Sequence, residues 1–391
     1  MSVATPDLPS PSPEARAHSE RALARVREEI ALSDGWIAFS RYMDLALYAP
    51  GLGYYAAGAT KLGRAGDFVT APEISPLFGA ALAVQVAAIL EASRRREIVE
   101  LGAGTGRLAA DLLNALAARD AAPSCYRILE PSPDLRARQQ AMLAGAAPAH
   151  IARVEWLDAL PATIDGAVVA NEVLDAVPVH VVVRRDAQWL ERGVVWNAAE
   201  GVLAWDERPA DARLAALAAA RFPATAGDYA SELNPAAEAL VEEVGRRITA
   251  GAALLIDYGF PAAEYYHPQR CEGTLMCHYR HRAHCDPFAW PGLTDITAHV
   301  DFTAIAGAGE RAGLAVAGFA AQAPFLMGCG ILDALAASGT PDSVAYIKAA
   351  AGVQKLLSPA EMGELFKVLA LARDGRIAWP GFALADRSRR L

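Results

Sequence analysis

The stretch VELGAGTGRLAADLL, Val99 to Leu113, sets a short apolar strand against a turn with glycine at 102, 104 and 106, followed at once by a helical pattern. Glycine lets a chain turn tightly and lets backbone N–H groups at a helix start approach an anionic ligand without interference from a Cβ. Outward from this unit the rhythm repeats. EIVELG, CYRILE, RVEWL and DGAVVANEV read as short strands, and residues 107–119 and 133–143 between them read as helices. This alternation predicts a doubly wound parallel α/β sheet, whose ligands lie beyond the carboxyl ends of the strands.

After Pro178, VHVVVRRDAQWLERGVVW and GVLAW read as strands joined by turns, an antiparallel insertion near 179–205. The sheet then resumes: a helix over 235–249 leads to AALLIDYG, and a helix near 302–312 leads to LAVAGFAAQ. Helices fill most of 328–363 before the apolar run FKVLALA. Upstream, 13–31 and 36–48 carry helical spacing and end in the turn APGLGYY. The expected division is an N-terminal helical lobe and lid over 1–95, a ligand-binding core over 96–260, and a substrate-side loop with C-terminal helices completing the sheet over 261–391. There is no internal repeat.

Composition narrows the function. The 391 residues are 53% hydrophobic and 21% charged, which excludes a disordered chain. No apolar run reaches the roughly 20 residues of a membrane helix, so no membrane insertion is expected. A net charge of -9 and a pI near 5.5 disfavour nucleic acid as partner and suit a cationic target. Five cysteines in so long a chain fit a reducing cytoplasm better than a disulfide framework, and the first twenty residues lack both an apolar core and an acid-poor, arginine-rich composition.

The glycine turn admits two cofactor classes. Glu130 ends the next strand about 24 residues after Gly106, where a carboxylate accepts hydrogen bonds from both hydroxyls of a ribose. A dinucleotide fingerprint needs glycine at 107, where this chain has Arg107, and the G-x-G-x-G spacing favours S-adenosylmethionine. A nicotinamide-dependent oxidoreductase is the weaker alternative. Glu100, in the strand before the turn, joins the cofactor-side set. Asp158, just past the third strand, can reach an adenine amino group. Asn171 and Glu172, ending the fourth, face the same crevice.

In GDFVTAPEISPLFGAAL, Gly66 to Leu82, Asp67 and Thr70 offer polar contacts to the amino-acid part of the cofactor, and the segment is expected to close over it. Ser75 is the expected N-cap and Pro76 the first residue of the helix that follows. For a guanidinium acceptor, carboxylates must bind the charge and orient one nitrogen; Glu172 is the first candidate, Asp175 the second and Glu73 the third. His180, Asp257, Tyr258 and His281 are candidate substrate-side residues. Cys271, Cys277, His278, His281, His284 and Cys285 crowd one segment without the paired spacing of a zinc site, so no metal is expected and a polar loop at the mouth is.

LYAPGLGYY, GDFVTAPEISPLFG, VELGAGTGRL, ANEVLDAVPVH, IDYG and GTLMCHYRHRAHCDPF, in this order, resemble the MidA family of mitochondrial complex I assembly-factor methyltransferases and their bacterial relatives. The resemblance spans about Tyr42 to Leu371. It implies a seven-stranded class I S-adenosylmethionine-dependent methyltransferase fold and methylation of an arginine on a protein substrate, a complex I subunit in the mitochondrial members. Carried over by position, Gly102, Gly104 and Gly106 hold the methionine end of the cofactor, Glu130 its ribose and Asp158 its adenine edge, with Glu172 and Asp175 facing the methyl. A non-catalytic assembly chaperone that keeps the cofactor for stability is the alternative from another class. The oligomeric state stays open, a dimer included.

Overall fold

The computed structural model describes residues 8–56, 70–224, 228–373 and 375–391. Contacts divide the chain into two units built from interleaved segments, one from 1–68, 175–238 and 262–299, the other from 69–174, 239–261 and 300–391. Packing thus groups pieces far apart in the chain, whereas the three divisions anticipated above are consecutive.

The second unit holds the doubly wound sheet. Seven strands lie along one path in the order Ala315–Ala321, Phe366–Ala372, Ile248–Phe260, Ile164–Asn171, Glu97–Leu101, Cys125–Leu129 and Val154–Leu157, and Val300–Asp301 pairs with the end of Ile248–Phe260. Pairing is parallel from Ile248–Phe260 to Val154–Leu157, while Phe366–Ala372 runs antiparallel to both of its neighbours. The central parallel strands are buried on both faces, as parallel sheets are. Ile98, Val169, Leu254 and Val368 share a core with Leu82 and Val86 of the helix Pro76–Ala92 and with Leu108 and Leu112 of the helix Arg107–Ala117. The alternate residues Leu101, Leu255 and Leu371 meet Leu240, Val241, Val244 and Leu314 on the other face.

From Glu97–Leu101 the chain winds outward through Cys125–Leu129 to Val154–Leu157, then returns to Ile164–Asn171 and winds the other way. The switch point lies between Leu101 and Asn171, where an open α/β sheet leaves its ligand crevice. Helix starts around it follow local chemistry. Ser75 Oγ accepts from Leu77 N at 3.2 Å with Pro76 as the first helical residue, and Ser132 Oγ accepts from Leu135 N ahead of Pro133–Ala146.

The first unit carries the helices Pro13–Leu32 and Phe39–Tyr48, a five-stranded sheet and a three-stranded sheet. The antiparallel insertion extends through His180–Arg185, Gln188–Asn197, Val202–Pro209 and Tyr229–Leu233, and Ile37–Ala38 pairs with Val194 and Gly193. The helical reading of 36–48 therefore begins at Phe39, because Ile37 and Ala38 take an edge of this sheet. Phe39, Tyr42, Met43 and Leu47 pack with Val181, Val194 and Ile296. The cysteine- and histidine-rich stretch is a hairpin rather than a loop. Met276–Tyr279 and Arg282–His284 pair through a two-residue turn in which Arg280 and His281 have φ of 48° and 60°, and Asp295–Thr297 pairs alongside. That turn is of the mirror-image kind that antiparallel strands favour, filled here without the usual Asn or Gly.

Candidate active site

Within the second unit the glycine turn closes the strand Glu97–Leu101. Gly102, Gly104 and Gly106 all have left-handed φ, of 59°, 53° and 83°, and a Cβ at Gly106 would stand 3.1 Å from Gln139 Cα. Gly106 caps the helix Arg107–Ala117 without a side chain, so the turn presents backbone to the crevice. Glu100 is buried within this strand. Its Oε2 accepts from Tyr126 Oη at 2.7 Å, and burial pushes its pKa up to about 7.

Glu130, at the end of Cys125–Leu129, accepts from Ser132 N at 2.9 Å on Oε1 and from Gln139 Nε2 at 3.1 Å on Oε2, and burial raises its pKa. Each oxygen keeps a lone pair, which a ribose hydroxyl requires. Gln139 is fully buried and links three elements: Nε2 also donates to Gly104 O at 3.1 Å, and Oε1 accepts from Trp156 Nε1 at 2.9 Å. The sequence reading missed it, since a glutamine in a helix signals nothing until its burial is known. Arg136, also missed, donates to Glu130 O, Leu157 O and Asp158 Oδ1, tying the ends of two strands. Asp158 stands beyond Val154–Leu157 with its side chain 87% exposed and paired with Arg136 at 2.6 Å.

At the end of Ile164–Asn171, Glu172 takes a left-handed φ of 53°. This conformation is unusual for a side-chain-bearing residue and marks a position held by its surroundings. Glu172 N donates to Ile256 O at 2.8 Å, and the next two N–H groups are claimed by Asp257, whose Oδ2 accepts from Val173 N at 3.2 Å and Leu174 N at 2.9 Å. Asp257 Oδ1 accepts from Tyr258 N at 2.9 Å, so this buried acid serves the backbone around Glu172. Tyr258 packs edge-on against Phe366. Glu172 Oε1 accepts from Asn171 Nδ2 at 3.0 Å and from Ala71 N at 3.3 Å. With its amide nitrogen so engaged, Asn171 leaves Oδ1 buried with no hydrogen-bond partner among the described residues. A buried acceptor left open at a crevice fits a ligand that donates N–H or O–H.

Thr70 precedes the one-turn helix Ala71–Ile74, and its carbonyl accepts from Glu73 N and Ile74 N. Glu73 Oε1 accepts from Thr105 Oγ1 at 2.5 Å, which brings this acid to the glycine turn. Asp67 lies outside the described residues. Three predicted residues belong to the first unit. Asp175 is buried and its carbonyl accepts from Ala298 N at 3.0 Å. His180 Nδ1 stands 2.6 Å from Glu191 Oε1 and 3.5 Å from Ser40 Oγ. His281 is exposed at the hairpin turn, while His284 is buried, which lowers its pKa. Among the described residues no group of three or more His, Cys, Asp or Glu side chains is arranged to hold a metal, and no helix is long and apolar enough to cross a membrane.

The second unit therefore gathers a backbone cradle with open geometry at three glycines, an acid placed for vicinal hydroxyls, and acceptors at the adjoining strand end, a set that fits a nucleoside bearing an amino acid. Residues 81–320 match the family described as "Putative S-adenosyl-L-methionine-dependent methyltransferase". The mitochondrial protein arginine methyltransferase NDUFAF7 of Mus musculus is 30% identical, over 88% of this chain and 83% of that one. Its homologue in Drosophila melanogaster is 29% identical, over 93% of this chain and 88% of that one. A crystal structure of a "likely methyl transferase" from Burkholderia thailandensis, bound to S-adenosyl-homocysteine, is 52% identical with a TM-score of 0.94, covering 98% of this chain and all of that one.

Proposed function

The chain belongs to the S-adenosyl-L-methionine-dependent methyltransferases matched over residues 81–320, and from this premise we propose that it methylates an arginine of a protein partner. A subunit of respiratory complex I is the proposed partner, and the cytoplasm the proposed compartment. The names of the mouse and fly relatives support arginine as acceptor. The observation that carries the reading is the pairing of Glu172, held left-handed at a strand end, with Asn171, whose buried Oδ1 is open. A guanidinium offers five N–H donors and no acceptor, so a site made of acceptors matches it, and a carboxylate among them supplies the opposing charge.

S-adenosylmethionine, when bound, supplies a methyl carbon activated by its sulfonium. The protein orients the nucleophile and manages one proton. Gly102, Gly104 and Gly106 hold the methionine end, and Glu130 accepts from the ribose hydroxyls. Asn171 Oδ1 and Glu172 accept guanidinium N–H bonds, draw its charge to one side and leave a nitrogen free to attack. Transfer of the methyl group from the sulfonium leaves the guanidinium with a single positive charge only if the attacking nitrogen loses a proton, and Glu172 is the acceptor for it.

Incubation with labelled S-adenosylmethionine and lysate from a strain lacking the gene tests this. The label is expected on an arginine of a protein, and to vanish with Glu172→Gln while affinity for S-adenosylhomocysteine is kept. Label on nucleic acid or on another residue type overturns the proposal, and no transfer by a protein that binds the cofactor favours an assembly chaperone.

A further inference from the structure

Resting on the reading that the second unit binds S-adenosylmethionine, we infer that Glu73, rather than Glu100, is the acid that receives the α-ammonium group of the cofactor's methionine moiety. That ammonium is a cation with three donors and needs an anionic acceptor beside the glycine turn that holds its carboxylate. The acid nearest in sequence, Glu100, cannot serve. It is 2% exposed and its Oε2 is bonded to the hydroxyl of the buried Tyr126.

Glu73 reaches the turn itself. Thr105, within the turn, accepts from Arg107 N at 3.3 Å, which directs its own hydroxyl hydrogen to Glu73 Oε1. Glu73 is partly exposed, and its hydrogen bond with Thr105 is made through Oε1. The hydrogen bond therefore fixes one oxygen against the cradle and leaves the other to accept. This moves Glu73 from the guanidinium, for which the sequence makes it the third candidate, to the cofactor. It also gives Thr105 a positioning role: it carries no charge to the ligand and aims the residue that does.

Binding calorimetry with three probes separates the possibilities: S-adenosylhomocysteine, which has ammonium and carboxylate; decarboxylated S-adenosylmethionine, which keeps the ammonium; and 5′-methylthioadenosine, which has neither. Glu73→Gln is expected to weaken the first two about tenfold or more, the loss typical of a charge-assisted hydrogen bond, and to leave 5′-methylthioadenosine unchanged. Thr105→Val is expected to show the same pattern with a smaller loss, while Thr105→Ser, which keeps the hydroxyl, binds as wild type. Equal S-adenosylhomocysteine affinity in wild type and Glu73→Gln overturns the assignment. So does an equal loss for all three probes, because that reports a damaged fold rather than a lost ammonium contact. If wild-type protein binds none of the probes, the underlying cofactor reading fails instead.

Discussion

Replacing Asp257 with asparagine leaves shape and volume nearly unchanged but removes one acceptor oxygen and the charge. In the native protein three backbone N–H groups, of Val173, Leu174 and Tyr258, converge on this buried carboxylate at 3.2, 2.9 and 2.9 Å. An asparagine can turn its oxygen toward Val173 and Leu174, but its amide nitrogen then confronts the N–H of Tyr258. One hydrogen bond to a charged acceptor, worth about 1.5–3 kcal/mol, is lost outright, and the remaining two weaken toward neutral strength. The expected loss is about 3 kcal/mol. Its functional consequence runs through Glu172, whose left-handed backbone, costing on the order of 1 kcal/mol or more, persists because the clamp over-determines it. Once the clamp slackens, the Glu172 side chain drifts from its station and turnover falls about tenfold or more, since each 1.4 kcal/mol of transition-state stabilisation is worth about a factor of ten. Urea denaturation gives the first quantity, and methyl transfer alongside S-adenosylhomocysteine calorimetry gives the second. Glu172→Gln is the matched control, expected to lose turnover with its urea midpoint unmoved. An Asp257→Asn protein with wild-type midpoint and wild-type turnover would refute the clamp.

Gln139→Leu keeps bulk at a fully buried site but strips partners from Gly104 O, Glu130 Oε2 and Trp156 Nε1; it is expected to cost about 2–4 kcal/mol in urea denaturation and to weaken S-adenosylhomocysteine about tenfold, through the loosened Glu130. Gly106→Ala places a Cβ 3.1 Å from Gln139 Cα at a φ of 83°, so a destabilisation of about 1–2 kcal/mol with clearly weaker cofactor binding is expected by the same two measurements. Burial raises the Glu100 pKa from 4.5 to about 7. Between those values the folded protein holds a proton that the unfolded chain has released, so stability falls as pH rises through the window, by up to about 3 kcal/mol. Urea midpoints at pH 5 and pH 8 should show that slope, and Glu100→Gln should flatten it.

The glycine turn was legible because its cause is local. Three positive φ angles demand glycine, a buried strand demands an apolar run, and a helix start announces itself through Ser-Pro, so the succession of strands and helices through the core could be read from neighbours in the chain. The hairpin at 276–284 was not legible, since its turn residues are Arg280 and His281, neither of which advertises positive φ. Nor was the edge strand Ile37–Ala38, whose two residues pair with Val194 and Gly193 about 155 positions away. Glu130 could be placed by its spacing from Gly106. Gln139, which holds it, could not, because nothing in RARQQAML distinguishes a buried, triply bonded amide from an exposed one.

The sequence by itself determined the doubly wound core, its cofactor turn and the acids at its strand ends, because periodicity, glycine geometry and helix capping are encoded within a few residues. Only the tertiary structure decided what each acid is for. Glu100 is sealed against Tyr126, Glu73 is drawn to the glycine turn by Thr105, and Asp257 is spent on the backbone that poises Glu172. The role of a carboxylate depends on which donors meet it, and these donors come from segments that only folding brings together.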